Sequence, residues 1–281
     1  MLIYHTNDMH GHTEALDWLK ANAKQSLAQS QALYFDSGDA LLGSNTVWKN
    51  YEPNLERMGS VFCASMAMGN REFNYQRRIL DKRSAQRSFP LLCSNLVDIR
   101  QDGKLTNEQL IEQLNSVPEV NCQDSCWREA ELWRGLSSQR WVSALSLYNK
   151  NWSKHYSLLL LAAVPVQYPH NAIWEKIFGF RFFEAETVLP LLVERCAKLL
   201  NKPLRLIILS HLGLERDKVL AARLPKGCWI LGGHSHTVIS EPVEIGGNFI
   251  VQTGSWAQNI GELDYNFENP ELSTYKLLNL R

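Results

Sequence analysis

The sequence predicts an α/β fold, and three observations carry that reading. Short apolar runs alternate along the chain with amphipathic stretches at helical spacing. Several of the apolar runs stop at a turn bearing Asp, Asn or His, the side chains that bind metals. No internal repeat and no Pro- or Gly-rich linker divides the chain, so 1–281 is expected as a single domain, with a polar insertion or cap at about 100–154.

The first element is Leu2 to Gly11, an apolar strand that runs into Asp8 and His10. Two residues apart on an extended segment, these side chains point the same way and can grip one ion, although a lone Asp-x-His also suits a surface turn. A helix is expected from about Thr13 to Ala28, where Leu16, Leu19, Ala23 and Leu27 are spaced three, four and four, with Thr13 as its cap. Ala32 to Phe35 is an apolar strand leading into Asp36-Ser37-Gly38-Asp39. Strand-to-turn edges are where α/β proteins place ligands, though Asp and Gly favour turns in any case. Asp39 is the candidate for a ligand shared between two metals.

A second helix is expected from Asn54 to Ala64, followed by Met66-Ala67-Met68-Gly69-Asn70-Arg71-Glu72-Phe73-Asn74, with Asn70 as ligand candidate. Asn alone more often makes turn hydrogen bonds. Arg77, Arg78, Lys82, Arg83 and Arg87 read as a solvated helix face rather than a polyanion track. Pro90 to Leu96 is a buried strand ending at Ser94-Asn95.

From about 100 to 154 the composition turns polar, with Cys122, Cys126, Trp127, Trp133, Trp141 and Trp152, and one helix near Asn107 to Leu114. The tryptophans suit a small core of the insertion itself; the alternative is closure over a substrate. Framework resumes with a buried strand at Tyr156 to Val166. A helix at Thr187 to Leu200 follows, with Thr187 as cap and Pro190 in the first turn. Leu204 to Leu209 is a strand ending at Ser210-His211-Leu212-Gly213, and Cys228 to Leu231 one ending at Gly232-Gly233-His234-Ser235-His236. Phe249 to Thr253 and Ile260 to Phe267 are the closing strands.

Composition narrows the function. Lys plus Arg equals Asp plus Glu at 29 each, so no net field favours nucleic acid or an acidic membrane. No apolar run reaches the ~18 residues of a spanning helix. Asp8 leaves no room before it for a signal peptide, which points to the cytoplasm. The six cysteines lack zinc-type pairing, and Cys122 with Cys126 supplies only half of a structural zinc site; buried free thiols are expected.

Asp8, His10, Asp39, Asn70, His211, His234 and His236 all lie just beyond apolar strands, so a sheet would bring them to one rim. Mixed nitrogen and oxygen ligands suit zinc, manganese or iron rather than calcium. Seven ligands with one shared carboxylate fit two divalent transition metal ions about 3.5–4 Å apart, the arrangement used for in-line phosphoryl chemistry.

The series Thr6-Asn7-Asp8-Met9-His10-Gly11, Ser37-Gly38-Asp39, Gly69-Asn70-Arg71-Glu72-Phe73-Asn74, Ser210-His211-Leu212-Gly213 and Gly233-His234-Ser235-His236 resembles the calcineurin-type metallophosphoesterases, and within them the N-terminal domain of the 5′-nucleotidase family. Ser94-Asn95-Leu96 and Val251-Gln252-Thr253-Gly254-Ser255-Trp256 fit that subgroup too. The resemblance implies a four-layer αββα sandwich, two sheets face to face with helices outside. It implies one metal held by Asp8, His10 and His236, another by Asn70, His211 and His234, with Asp39 bridging. The activity implied is phosphate ester hydrolysis by in-line attack of a metal-bridging hydroxide on a small-molecule substrate.

Two departures shape the expectation. The family's C-terminal nucleotide-binding domain has no counterpart in these residues, so nucleotide specificity does not carry over. The family motif reads Gly-Asn-His-Glu-Phe-Asp, whose His protonates the leaving group and whose Asp orients it; here Arg71 and Asn74 stand in those places. A general acid adds ~10²- to 10⁴-fold, whereas the metal-activated nucleophile is the main engine. Arg71 cannot donate that proton but can pair with phosphate oxygens. Arg71, Asp39 and His211 are therefore the candidate catalytic groups, with Asn70, Arg71 and Asn74 toward the substrate. Phosphodiesters or anhydrides with good leaving groups are favoured over alkyl monoesters. The alternatives are a broad phosphomonoesterase with the proton from His12 or water, and a metal-bound binding scaffold.

Overall fold

The computed structural model describes residues 1–42, 51–73, 77–98, 145–148, 155–199 and 203–281. The strands are β1 (Leu2–Thr6), β2 (Ala32–Asp36), β3 (Cys63–Ala67), β4 (Leu91–Leu92), β5 (Leu96–Asp98), β6 (Leu145–Tyr148) and β7 (Ser157–Ala163). They continue with β8 (Phe180–Phe182), β9 (Leu204–Ser210), β10 (Trp229–Leu231), β11 (Val243–Ile245), β12 (Asn248–Val251), β13 (Asn259–Asp264) and β14 (Thr274–Asn279). The helices are α1 (Glu14–Asn22), α2 (Lys24–Ala28), α3 (Pro53–Ser60), α4 (Arg77–Ser84), α5 (Ile173–Phe178), α6 (Ala185–Leu199) and α7 (Leu214–Ala221).

Among the described residues two six-stranded sheets form, ordered β14-β13-β1-β2-β3-β4 and β11-β12-β10-β9-β7-β6, with β5 and β8 as a separate ribbon. Strand alternation sorts the apolar side chains into three layers of core. Ile3, Leu33 and Phe35 of one sheet meet Leu158, Leu160, Ile207, Leu209, Trp229 and Val251 of the other. On the outer side of the first sheet, Tyr4 and Tyr34 pack with Leu16, Leu19, Leu27, Leu55 and Met58 from α1, α2 and α3. On the outer side of the second, Leu159, Leu161 and Ile208 pack with Leu189, Leu192 and Leu220 from α6 and α7. The result is the four-layer αββα sandwich expected from the sequence. Each leucine fully buried in the middle layer contributes about 1.5–3 kcal/mol, so the inner faces hold the sheets together.

Several elements differ from expectation for identifiable reasons. The helix expected over 13–28 breaks at Ala23, whose φ of −121° leaves the helical range, into α1 and α2. That expected over 54–64 ends at Ser60, after Gly59 and Ser60, both weak helix formers. The strand expected over 90–96 divides into β4 and β5 because Ser94 and Asn95 bind the neighbouring sheet instead. Ser94 Oγ accepts the Ala162 N–H at 2.8 Å, while Asn95 accepts the Val164 N–H at 3.0 Å and donates to the Val164 and Phe183 carbonyls.

Helix α6 begins at Ala185, so Thr187 is not its cap and Pro190 lies in the second turn rather than the first. Proline has no N–H to give the Glu186 carbonyl four residues back. The Arg223 guanidinium takes that place, donating to the Glu186 carbonyl at 3.1 Å. Arg83 also departs from the expected solvated face: it is buried, with its guanidinium 3.6 Å from the Glu52 carboxylate, while Lys82 is exposed.

Within the stretch expected as an insertion, 145–148 forms β6, an edge strand antiparallel to β7. The helix expected near 107–114, Cys122, Cys126, Trp127, Trp133, Trp141, Trp152 and Asn74 lie outside the described residues. Cys63, Cys93, Cys196 and Cys228 are buried and unbridged. Among the described residues no helix is long and apolar enough to cross a membrane.

Candidate metal centre

In the first sheet β1, β2 and β3 run parallel, and in the second β7, β9, β10 and β12 do. Their carboxyl ends open on one rim, and the loops leaving it carry the metal-type side chains. The loops after β1 and β2 remain laddered: the Asp8 and His10 amides donate to the Gly38 and Asp39 carbonyls, each at 2.9 Å. Asp8, His10, Asp39, His234 and His236 have φ of 50°, 51°, 53°, 74° and 54°. Asp and His tolerate this left-handed region better than most residues, yet each such position costs of order 1–3 kcal/mol and persists only where its surroundings impose it.

Among the described residues two tight donor groups result, Asp8 with His10 and His236, and Asp8 with Asp39 and His211. In the first, His10 Nε2 and His236 Nε2 stand 3.1 Å apart, and His236 Nε2 is 3.2 Å from Asp8 Oδ1. In the second, His211 Nε2 lies 3.4 Å from Asp39 Oδ2 and 3.8 Å from Asp8 Oδ1. Asp8 Oδ1 is thus common to both groups. His234 Nδ1 meets Asn70 Oδ1 at 3.0 Å, and its ring centroid is 5.2 Å from that of His211. All seven expected ligands therefore come to one rim.

The donor chemistry fits divalent ions. Asp8 Oδ1 and His211 Nε2 are buried with no hydrogen-bond partner among the described residues, a costly state for a carboxylate oxygen and an imidazole nitrogen. His211 Nδ1 pairs with the Ser37 carbonyl at 2.8 Å, and since a carbonyl only accepts, Nδ1 carries a hydrogen; Nε2 is then the nitrogen that faces the centre and would hold an ion once its own proton is displaced. Ring nitrogens and carboxylate oxygens together suit zinc, manganese or iron.

Supporting groups that sequence reasoning missed hold these ligands in place. Asn7 uses its whole amide: it donates to Asp8 Oδ2 and the Gly254 carbonyl and accepts from the Thr253 N–H and hydroxyl, all within 2.8 Å. Buried Glu72 accepts from the backbone N–H groups of Gly69, Asp39 and Leu41 at 2.7, 3.0 and 3.2 Å, tying the Asn70 loop to the Asp39 loop. Asp217 takes the Ser210 hydroxyl next to His211 and reaches Gln252, which in turn accepts from Ser235 between His234 and His236. Asp217 did leave a signal: it shares the apolar stripe of α7 with Leu220 and Ala221, where a carboxylate needs a partner.

Of the other candidates, Arg71 gives its backbone N–H to Asp39 Oδ1 at 2.8 Å and holds its guanidinium Nε 3.7 Å from Asp39 Oδ2, partly exposed. His12 sits on the surface with Nδ1 3.7 Å from Glu14. Trp256, which the expectation left without a role, places its ring edge-on to His10 and His12 at 5.8 and 5.3 Å between centroids.

Electrostatics polarise the cluster. Burial resists a charge on His211, but Asp39 at 3.4 Å, with Asp8 and Glu72, overrides it and pushes the imidazole up to about 9. Burial and the nearby Arg71 charge instead bring His10 down to about 4. Burial alone would raise Asp39, yet His211 and the Arg71 amide hold it below its ordinary value.

No family model matches the chain. It is 22% identical over 324 aligned residues to a 5′-nucleotidase of Vibrio cholerae, covering 99% of this chain and 51% of that protein. Among solved structures it superposes on a 5′-nucleotidase precursor from Thermus thermophilus with a TM-score of 0.64 at 18% identity, covering 99% of this chain and 54% of the other. It superposes on the calcineurin-like phosphoesterase YfkN of Bacillus subtilis with a TM-score of 0.63 at 15% identity, covering 100% of this chain and 90% of that one. The chain spans about half the length of the first curated relatives it matches.

Proposed function

We propose that this chain, a calcineurin-like metallophosphoesterase domain of the 5′-nucleotidase kind, is a hydrolase of phosphate esters working with two divalent ions held by Asp8, His10, Asp39, Asn70, His211, His234 and His236. The observation that carries the proposal is the meeting of His10 Nε2, His236 Nε2, Asp8 Oδ1, His211 Nε2 and Asp39 Oδ2 at one rim. Bound there, the ions would neutralise phosphate charge and make water a nucleophile near neutral pH.

The residues of the chain do the rest. Asp8 and Asp39 supply the buried negative charge that a dicationic pair needs, and His211 is oriented by the Ser37 carbonyl. Asn7 and Glu72 hold the ligand loops rigid by hydrogen bonds to backbone, so little reorganisation accompanies binding. Arg71, partly exposed beside Asp39, is placed to grip a phosphoryl oxygen and steady charge as it develops. It cannot protonate a departing alkoxide. The site therefore favours diesters, anhydrides or other esters whose leaving group departs as an anion, and the substrate is a small molecule.

One domain over 1–281 suits this reading, with about 100–154 as an insertion or cap apart from 145–148, which belongs to the second sheet as β6. So does a reducing, cytoplasmic setting, supported by the buried, unbridged Cys63, Cys93, Cys196 and Cys228. A second reading, a nucleotide phosphomonoesterase, is supported by the likeness to 5′-nucleotidases. The test is hydrolysis of an aryl phosphate diester and its matching monoester by manganese-loaded protein, with Asp39→Ala as control. Diester preference lost in the control is the expected result. Monoester preference favours the second reading, and inactivity with fewer than about two ions per chain favours a binding scaffold.

A further inference from the structure

Trp256 is a neutral side chain at the edge of a charged centre. Its ring lies edge-on to His10, one of the donors facing His236, and to His12. It is 47% exposed. Its backbone is fixed in the left-handed region at φ 65°, and its N–H donates to the Asp8 carbonyl at 2.8 Å. The loop carrying it is pinned on both sides: Asn7 donates to the Gly254 carbonyl at 2.7 Å, and Asn259 donates to the Thr253 carbonyl at 2.8 Å. A strained, pinned backbone that keeps an indole half in water points to a use for the open part of the ring.

We propose that Trp256 is the specificity-determining side chain of this site, receiving the organic group of the phosphate ester, and that the substrates are esters whose alcohol portion is planar and aromatic. This rests on the phosphoesterase reading above and deepens it. An indole brings no charge to a phosphoryl group, so its contact discriminates among esters only through the group the phosphorus carries. Flat rings offer it offset-stacked or edge-to-face contact, which a small alkyl group cannot. The same substrates suit Arg71, because an aryl oxide departs without a proton.

The test compares binding rather than turnover. Titration calorimetry of the manganese-loaded protein with phenylphosphonate and methylphosphonate separates the ring from the phosphoryl head, and metal content is measured alongside. Trp256→Ala is expected to weaken phenylphosphonate by about three- to tenfold while methylphosphonate changes by less than about twofold, with Trp256→Phe keeping most of the phenyl advantage. Equal losses for both ligands, or loss of metal, would make Trp256 a support for His10 and overturn the proposal. An unchanged phenyl affinity also overturns it. If the wild-type protein binds metal but neither phosphonate, the phosphoesterase reading itself fails.

Discussion

His211 Nε2 and Asp8 Oδ1 face each other across 3.8 Å, both buried, neither with a hydrogen-bond partner among the described residues. An unsatisfied carboxylate oxygen in the interior is costly, and a cation between the two groups removes the cost. Manganese is therefore expected to raise the melting temperature by roughly 5 °C or more once free ion exceeds Kd about a hundredfold. Asp8→Asn, which weakens the atom common to both donor groups, abolishes the shift. Differential scanning fluorimetry with and without chelator checks this, and an equal shift in the variant would contradict the assignment.

Arg71 and Asn74 stand where the motif of the metallophosphoesterases that the sequence resembles has His and Asp. Arg71→His combined with Asn74→Asp is expected to raise kcat on an alkyl phosphate monoester by at least about tenfold, the low end of what a general acid supplies. The diester rate gains less, since its leaving group needs no proton. Steady-state kinetics on both substrates decides it; unchanged monoester turnover would refute the role assigned to Arg71.

Gly69 has no room for a methyl group: a Cβ there would fall 2.2 Å from Asp39 Oδ1 and 2.4 Å from the Asp39 amide. Gly69→Ala must push the Asp39 and Asn70 loops apart. Metal content measured by atomic emission is expected to fall by at least about one ion per chain, consistent with two-ion occupancy, while the far-ultraviolet circular dichroism stays native. Retention of full metal would show that the loops can separate without consequence.

The residues of the candidate metal centre were legible in the sequence because each falls within a few residues after a short apolar run, and in an α/β fold the loops leaving parallel strands open on one rim. The supports were not. Glu72 acts on the amides of Gly69, Asp39 and Leu41, and Asn7 on Thr253 and Gly254, so their roles exist only once remote loops meet. Edge strands escaped for another reason: β11 and β14 alternate between half-buried and exposed positions, leaving no apolar run to read. The start of α6 was misplaced because the apolar pattern marks a helix's face better than its end, and Arg223 makes a second-turn proline tolerable.

That exchange is open to a double-mutant cycle. Arg223→Ala leaves the Glu186 carbonyl without its donor and is expected to cost about 1 kcal/mol in urea unfolding. In a Pro190→Ala background the helix supplies its own amide, and the same substitution should cost close to nothing. Additive effects would show that Arg223 acts elsewhere.

His5 is fully buried, with Nε2 3.2 Å from the Tyr275 hydroxyl, and burial brings it down to about 3. Unfolded, it titrates near 6.5, so below that pH the unfolded chain binds a proton the folded chain refuses. Its contribution is complete above pH 6.5 and is lost as pH falls toward 3, by at most about 1.4 kcal/mol per unit. Asp36 and Asp217, raised by burial to about 7, act in the opposite direction, so the comparison must be against a variant. The stability of His5→Asn is expected to fall less steeply than that of the wild type between pH 6.5 and 4.5; parallel curves would contradict this.

The pairing of β1 with β13 matches Leu2 to Asp264 and His5 to Gly261. On a ribosome adding ~5–20 residues per second, the first strand waits roughly 10–50 s for that neighbour to be synthesised. Throughout the wait one side of β1 is an open edge, and Asp8 and His10 have no His236 to share an ion with. The candidate centre therefore cannot close until the His234–His236 turn has been made, and until then β1 and β2 are the segments a nascent-chain chaperone would have most reason to shield.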